Sequence, residues 1–139
     1  MKPVLVEQLE DGTAIKQCSV CKIKKPVTDF GILVKAVSGL RYSCKACDHK
    51  KHRRLTYNLT DDEYQMLLEE QNNKCAICDI TQDEHYIKTK RSLHVDHDHN
   101  TGQVRGLLCN PCNRGIGYLK DTYKTVQRAA EYLLRNEVD

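Results

Sequence analysis

Cys75-Ala76-Ile77-Cys78, His94-Val95-Asp96-His97-Asp98-His99 and Cys109-Asn110-Pro111-Cys112-Asn113 all fall between Lys74 and Tyr118. The two C-x-x-C pairs have the spacing of a tetrathiolate zinc clip. The cluster they bracket carries harder donors. A carboxylate oxygen on Asp96 and an amide oxygen on Asn113 suit Mg²⁺ or Mn²⁺, and two protein ligands leave positions open for water and phosphate oxygens. An imidazole, with an ordinary pKa of about 6.5, can take a proton from water near neutrality. A zinc knot beside such donors points to metal-assisted hydrolysis, with a phosphodiester as the substrate class.

The local grammar of this stretch is hairpin then helix. Leu93 to His97 reads as a strand, Asp98 to Gly102 as a polar turn and Gln103 to Leu108 as the return strand. Pro111 sits where a helix begins, so Asn113 falls in its first turn. One cysteine pair precedes the hairpin and the other opens the helix, so the clip can fix helix against strand as a catalytic site requires. In a regular strand, the adjacent Asp96 and His97 point to opposite faces. If both serve one site, the strand must end, twist or bulge there. Asp98 reads as a residue that shapes the turn, and His94 as a packing residue rather than a ligand. Arg105 and Arg114 are open between phosphate binding and offsetting thiolate charge.

Outward from this core, the 139 residues allow one domain or two very small ones. One Phe, no Trp and 40% apolar residues make a modest core, and eight cysteines in four C-x-x-C pairs supply the missing stability. Nothing at the N-terminus resembles a signal peptide and no apolar run reaches membrane-spanning length, so the cysteines are expected to be zinc thiolates in a cytoplasmic protein. Cys18, Cys21, Cys44 and Cys47 form the second quartet, expected to be a zinc ribbon. Before it, Val4-Leu5-Val6 and Thr13-Ala14-Ile15 read as a hairpin turning at Asp11-Gly12. Within it, Gly31 to Val34 and Leu40 to Tyr42 read as short strands around Ser38-Gly39. His49 and His52 are not needed as ligands, because four cysteines suffice. The sequences between the cysteine pairs differ, so the two quartets are not read as a repeat.

Lys50, Lys51, Arg53 and Arg54 follow the ribbon in a basic helix or extended arm. They are read as DNA-backbone contacts, with a solvated linker face as the plainer alternative. The total charge does not decide this. Each tetrathiolate zinc carries −2, so two such sites take the formal +3 to −1. Thr60-Asp61-Asp62-Glu63 is a capping box, with Leu59 and Tyr64 at the staple positions. The helix it starts runs to about Gln71, with Tyr64, Leu67 and Leu68 on the face expected to pack against the second zinc unit. A last helix, about Thr122 to Asn136, spaces Val126, Ala129, Ala130, Leu133 and Leu134 along one stripe, for core packing or for a homodimer.

Cys75-Ala76-Ile77-Cys78, Val95-Asp96-His97-Asp98-His99 and Val104-Arg105-Gly106-Leu107-Leu108-Cys109-Asn110-Pro111-Cys112-Asn113 together resemble the recombination endonuclease VII family, a branch of the ββα-metal (His-Me finger, HNH) nucleases. Lys25-Pro26-Val27-Thr28-Asp29-Phe30 is similar to the N-terminal zinc module of some HNH proteins. The resemblance implies a small zinc-rich α+β fold. A zinc ribbon with its basic arm would span 1–55, a ββα-metal nuclease domain 56–121 and a C-terminal helix 122–139. It implies that Asp96 and Asn113 hold a catalytic Mg²⁺ or Mn²⁺, that His97 activates water, and that His99 contacts the scissile phosphate or assists the leaving group. Cys75, Cys78, Cys109 and Cys112 would hold one structural Zn²⁺, with a second in the ribbon. DNA, duplex or branched, is the expected partner, cut to 5′-phosphate and 3′-hydroxyl ends. The family's best-known member resolves four-way (Holliday) junctions as a dimer, and the resemblance also implies a viral or prophage source, hence host cytoplasm. A sequence-specific nicking, homing or restriction-type HNH endonuclease and a non-catalytic zinc-ribbon DNA-binding protein are the alternatives.

Overall fold

In the computed structural model, which describes residues 6–137, the Asp11-Gly12 turn joins β1 (Glu7–Gln8) to β2 (Ala14–Gln17). Gly12 sits at φ +82°, and the Asp11 carboxylate accepts the Thr13 N–H at 2.8 Å. Part of the expected first strand, Val4-Leu5, lies outside the described residues. The hairpin also gains a third strand, β3 (Lys24–Pro26), antiparallel to β2. A 3₁₀ turn (Val27–Asp29) then leads to β4 (Phe30–Ile32), which pairs with β5 (Leu40–Cys44) around Gly39 at φ +68°. Helix α1 (Lys45–Tyr57) follows with Cys44 as its N-cap.

The chain divides into two units between Thr60 and Asp61. The first has almost no hydrocarbon core. Cys18, Phe30 and Cys44 are buried together, with Cys21, Leu40 and Cys47 packed around them, so four of six core residues are thiols. Lys16 is buried here as well. Its Nζ donates to the Arg41 carbonyl at 2.7 Å and lies 4.4 Å over the Phe30 ring, which satisfies a cation that burial would otherwise penalise.

The second unit begins with α2 (Asp61–Glu70), which buries Tyr64 and Leu68. Helix α3 (Gln82–Thr89) was not anticipated. It begins in a complete capping box, with Glu84 N–H donating to the Thr81 hydroxyl and the Thr81 N–H donating to the Glu84 carboxylate. The Thr81-x-x-Glu84 signature is legible in the sequence, and the weak apolar periodicity after it hides the helix. Strands β6 (His94–His97) and β7 (Val104–Leu108) form the antiparallel hairpin, and α4 (Asn110–Tyr118) packs back on β6. Helix α5 (Tyr123–Leu134) buries none of its residues, with Leu133 63% and Leu134 70% exposed. Val126 and Ala129 of its stripe are half-buried.

The two quartets, not read as a repeat from their sequences, share one local design. In each, a first C-x-x-C forms a knuckle: the Cys18 N–H donates to Ile23 O and that of Cys75 to Ile80 O. The residue after the knuckle takes the left-handed conformation, Lys22 at φ +60° and Asp79 at φ +60°. Each knuckle is followed by an antiparallel hairpin and then a helix whose N-cap is the third cysteine, Cys44 or Cys109. The intervening sequences diverge because only the metal-binding backbone geometry is held in common. In the first unit, the strand before the helix pairs with Phe30-Gly31-Ile32 rather than with an acid/imidazole run.

Candidate metal centres and active site

Cys18, Cys21, Cys44 and Cys47 bring their sulfurs within 4.8 Å of one another, as do Cys75, Cys78, Cys109 and Cys112. The Cys18 and Cys47 sulfurs are 3.9 Å apart and those of Cys78 and Cys109 3.6 Å. These distances far exceed an S–S bond of about 2 Å. They suit a tetrahedron with metal–sulfur bonds of about 2.3 Å, whose edges are about 3.8 Å. Both quartets therefore fit zinc. Burial pushes the Cys18 thiol up, but the N–H groups of Cys44, Cys21 and Val20 more than reverse this, bringing it to about 6. Cys75 behaves alike: burial raises it, and the amides of Cys109, Cys78 and Ile77 bring it to about 7. These are the amide–sulfur bonds that hold a thiolate ready for a cation.

Around the second clip, hydrogen bonds locate the hairpin. The Ala76 N–H donates to Leu107 O at 3.1 Å. Gln71, at the end of α2, accepts the Leu107 N–H at 2.8 Å and donates to its carbonyl at 2.9 Å. Gln82 in the first turn of α3 accepts the Leu93 N–H, and the Tyr64 hydroxyl donates to Leu93 O, both at 2.8 Å. Both ends of the hairpin's base are thus tied to helices.

The pairing of β6 with β7 shifts register between Asp96 and His97, at the place where a shared site demands it. Asp96 pairs with Gly106 and His97 with Val104, which leaves Arg105 as the extra residue. Its side chain turns onto Asp96, with Nε 2.7 Å from one carboxylate oxygen and an Nη 2.9 Å from the other. The same Nη lies 2.6 Å from the Asp121 carboxylate. Arg105 thus pairs with two carboxylates at once. At Asp96 it grips a side chain that is only 11% exposed. Those two hydrogen bonds, with that to Asp121, raise the Arg105 pKa further above its ordinary value.

The rings of His97 and His99 lie 4.6 Å apart, His97 half-buried and His99 exposed. Asn113 is half-buried in the first turn of α4, the helix that packs on β6. Asp98 shapes the turn, accepting the N–H groups of Asn100 and Thr101 at 2.8 Å each. Those amides hold its carboxyl below the usual carboxylate range. His94 packs edge-on against His85, ring centroids 5.9 Å apart. Arg114 sits over the Tyr118 ring and donates to its hydroxyl at 2.8 Å. Lys50, Lys51 and Arg54 are exposed on α1 and Arg53 is half-buried there, all in the first unit. Sequence reasoning passed over Gln71, His85 and Asp121, since each gains its place from a partner far along the chain. A carboxylate oxygen and an amide oxygen are donors that would suit a hard divalent cation rather than zinc.

Two proteins of known phages are similar to this chain. The Gene 59 protein of Mycobacterium phage L5 is 45% identical over 80 residues, 57% of this chain and 46% of its own length. The Gene 59 protein of Mycobacterium phage D29 is 47% identical over 79 residues, 56% of this chain and 45% of its own. The chain thus spans about half the length of the curated relatives it matches. Among solved structures, the ββα-Me type II restriction endonuclease Hpy99I aligns with 88% of this chain and 66% of its own, at 27% identity and a TM-score of 0.39. The sequence profile of recombination endonuclease VII matches residues 50–135, which takes in the knuckle, hairpin and helix of the second unit. With its Asp96-His97 bulge and tetrathiolate clip in that span, this chain belongs to the recombination endonuclease VII family.

Proposed function

We propose that this chain is a metal-dependent DNA endonuclease whose active site is built from Asp96, His97, His99 and Asn113. The observation that carries this reading is the register shift between Asp96 and His97, on a hairpin backed by a helix that bears Asn113. A protein that only bound DNA would need none of these side chains. In this reading His97 removes a proton from a water molecule that attacks phosphorus in line, and the 3′ oxygen departs to leave 5′-phosphate and 3′-hydroxyl ends. Held by Asp96 and Asn113, a divalent cation would supply electrostatic stabilisation to the charge that builds on the phosphate oxygens and the leaving oxygen. His99, whose ring lies 4.6 Å from that of His97, would contact the phosphate or assist the leaving group. The exposed cations of α1 give the first unit a backbone-binding role, which neutralised phosphates would reward by counterion release.

The test is to incubate the zinc-loaded chain with Mg²⁺ or Mn²⁺ and a four-way junction, a linear duplex or a plasmid, then map the ends. Paired cuts at the branch would make it a junction nuclease, and fixed cuts in linear duplex a sequence-specific one. His97→Ala is expected to keep both zinc ions and DNA binding while losing cleavage by several orders of magnitude. Absence of cleavage with every ion, or full activity in His97→Ala, would end this reading.

A further inference from the structure

Asp121 has no part in the chemistry proposed above, yet its carboxylate closes a three-member chain with Arg105 and Asp96. Its backbone is unusual. After α4 the chain makes two successive left-handed residues, Lys120 at φ +65° and Asp121 at φ +53°, and neither is glycine. Such conformations carry a cost of about 1 kcal/mol each and persist where the surroundings demand them. The turn is closed by Lys120 N–H to Gly117 O at 3.0 Å and Asp121 N–H to Ile116 O at 2.8 Å. It delivers Asp121, with its side chain 18% exposed, to within 2.6 Å of the Arg105 guanidinium.

We infer that Asp121 is a positioning residue that acts through Arg105 to set how strongly Asp96 binds its cation. This rests on the proposed role of Asp96 as a cation ligand. The reasoning is electrostatic. Arg105 covers both oxygens of Asp96 with a hydrogen bond, so Asp96 and Arg105 alone sum to zero charge, a poor seat for a divalent ion. Asp121 restores a net −1 to the trio. It also offers Arg105 a second carboxylate, so that the guanidinium remains bonded when an incoming cation draws on the Asp96 oxygens, which retain further lone pairs. The bulge that makes Arg105 the extra residue of β7 and the left-handed turn that presents Asp121 therefore serve one end. They fix the rotamer and the charge of a nearly buried carboxylate before the cation arrives.

The experiment is Mn²⁺ binding to the zinc-loaded full chain, followed by electron paramagnetic resonance of free Mn²⁺, in wild type, Asp121→Asn, Arg105→Gln and the double variant. Asn tolerates the left-handed backbone, so Asp121→Asn removes charge without disturbing the turn, and two bound zinc ions per chain confirm the fold. Asp121→Asn is expected to weaken Mn²⁺ binding about tenfold, the scale on which outer partners of metal ligands act. In the Arg105→Gln background the same substitution should change binding less than about threefold. Unchanged Mn²⁺ affinity in Asp121→Asn would overturn the inference, and so would an equal loss with and without Arg105. Asp96→Asn separates this from the parent reading: if that variant binds Mn²⁺ as wild type does, Asp96 is not a ligand and both fall.

Discussion

His85 shows how one burial decision becomes a pH response. Its side chain is 2% exposed, edge-on to His94, and among the described residues its Nε2 has no hydrogen-bond partner. Burial pushes its pKa below the ordinary 6.5, because a cation there would lose water and gain nothing. The unfolded chain therefore takes up this proton at a higher pH than the folded one does. The stability from keeping His85 neutral is fully present above about 6.5 and is lost as pH falls below that value. Melting temperatures of the zinc-loaded protein are expected to fall between pH 7 and pH 5, and His85→Leu should flatten that slope. A slope identical in the two proteins would assign the acid sensitivity elsewhere.

The element that matters most to the hairpin is α2, through a single side chain. Gln71 satisfies both backbone groups of Leu107, a residue with no solvent exposure. It also donates to Lys74 O at 2.8 Å, which ties the end of α2 to the knuckle. Gln71→Ala strands the buried Leu107 N–H and leaves its C=O with the Ala76 N–H alone, and is expected to cost about 2 kcal/mol in denaturant unfolding. Gly106 belongs to the same contact: a Cβ there would meet the Gln71 Oε1 at 2.9 Å. Gly106→Ala should therefore destabilise by displacing Gln71. In the Gln71→Ala background the added methyl should cost far less, and a fully additive double variant would refute the coupling.

At the scale of the whole molecule, a thiolate quartet stands in for a hydrocarbon core in the first unit and adds to one of Tyr64, Leu68, Leu93, Val95, Leu107 and Leu108 in the second, and the basic helix is attached to the unit that lacks the acid/imidazole run. Helix α1 buries no residue, and Lys50, Lys51 and Arg54 lie on its exposed surface. Each phosphate neutralised on duplex DNA contributes about 0.9 to the slope of log affinity against log salt. Replacing Lys50, Lys51 and Arg54 by Gln is expected to lower that slope by 2 to 3, roughly one unit per cation lost, while the melting transition stays in place. A salt dependence that the triple variant leaves unchanged would return these residues to the solvated face of a linker.

The sequence by itself determined the two thiolate quartets, the hairpin-then-helix order around Asp96, His97 and Asn113, and the start of α2. All of these are written in short-range spacing, where ligand geometry, turn chemistry and capping act over a few residues. It also posed the right question of the Asp96-His97 pair, since a two-residue period cannot bring neighbours to one face. Only the tertiary structure placed the bulge on Arg105, brought Asp121 to it across the hairpin and α4, closed the Gln71–Leu107 bonds, and made the two quartets versions of one design. Those features depend on which backbone groups and charges meet after the strands pair and the helices pack. Partners 16 or 36 residues apart leave no periodic mark on the chain, because hydrogen bonding and charge pairing select them only once the zinc knots have fixed the elements in space.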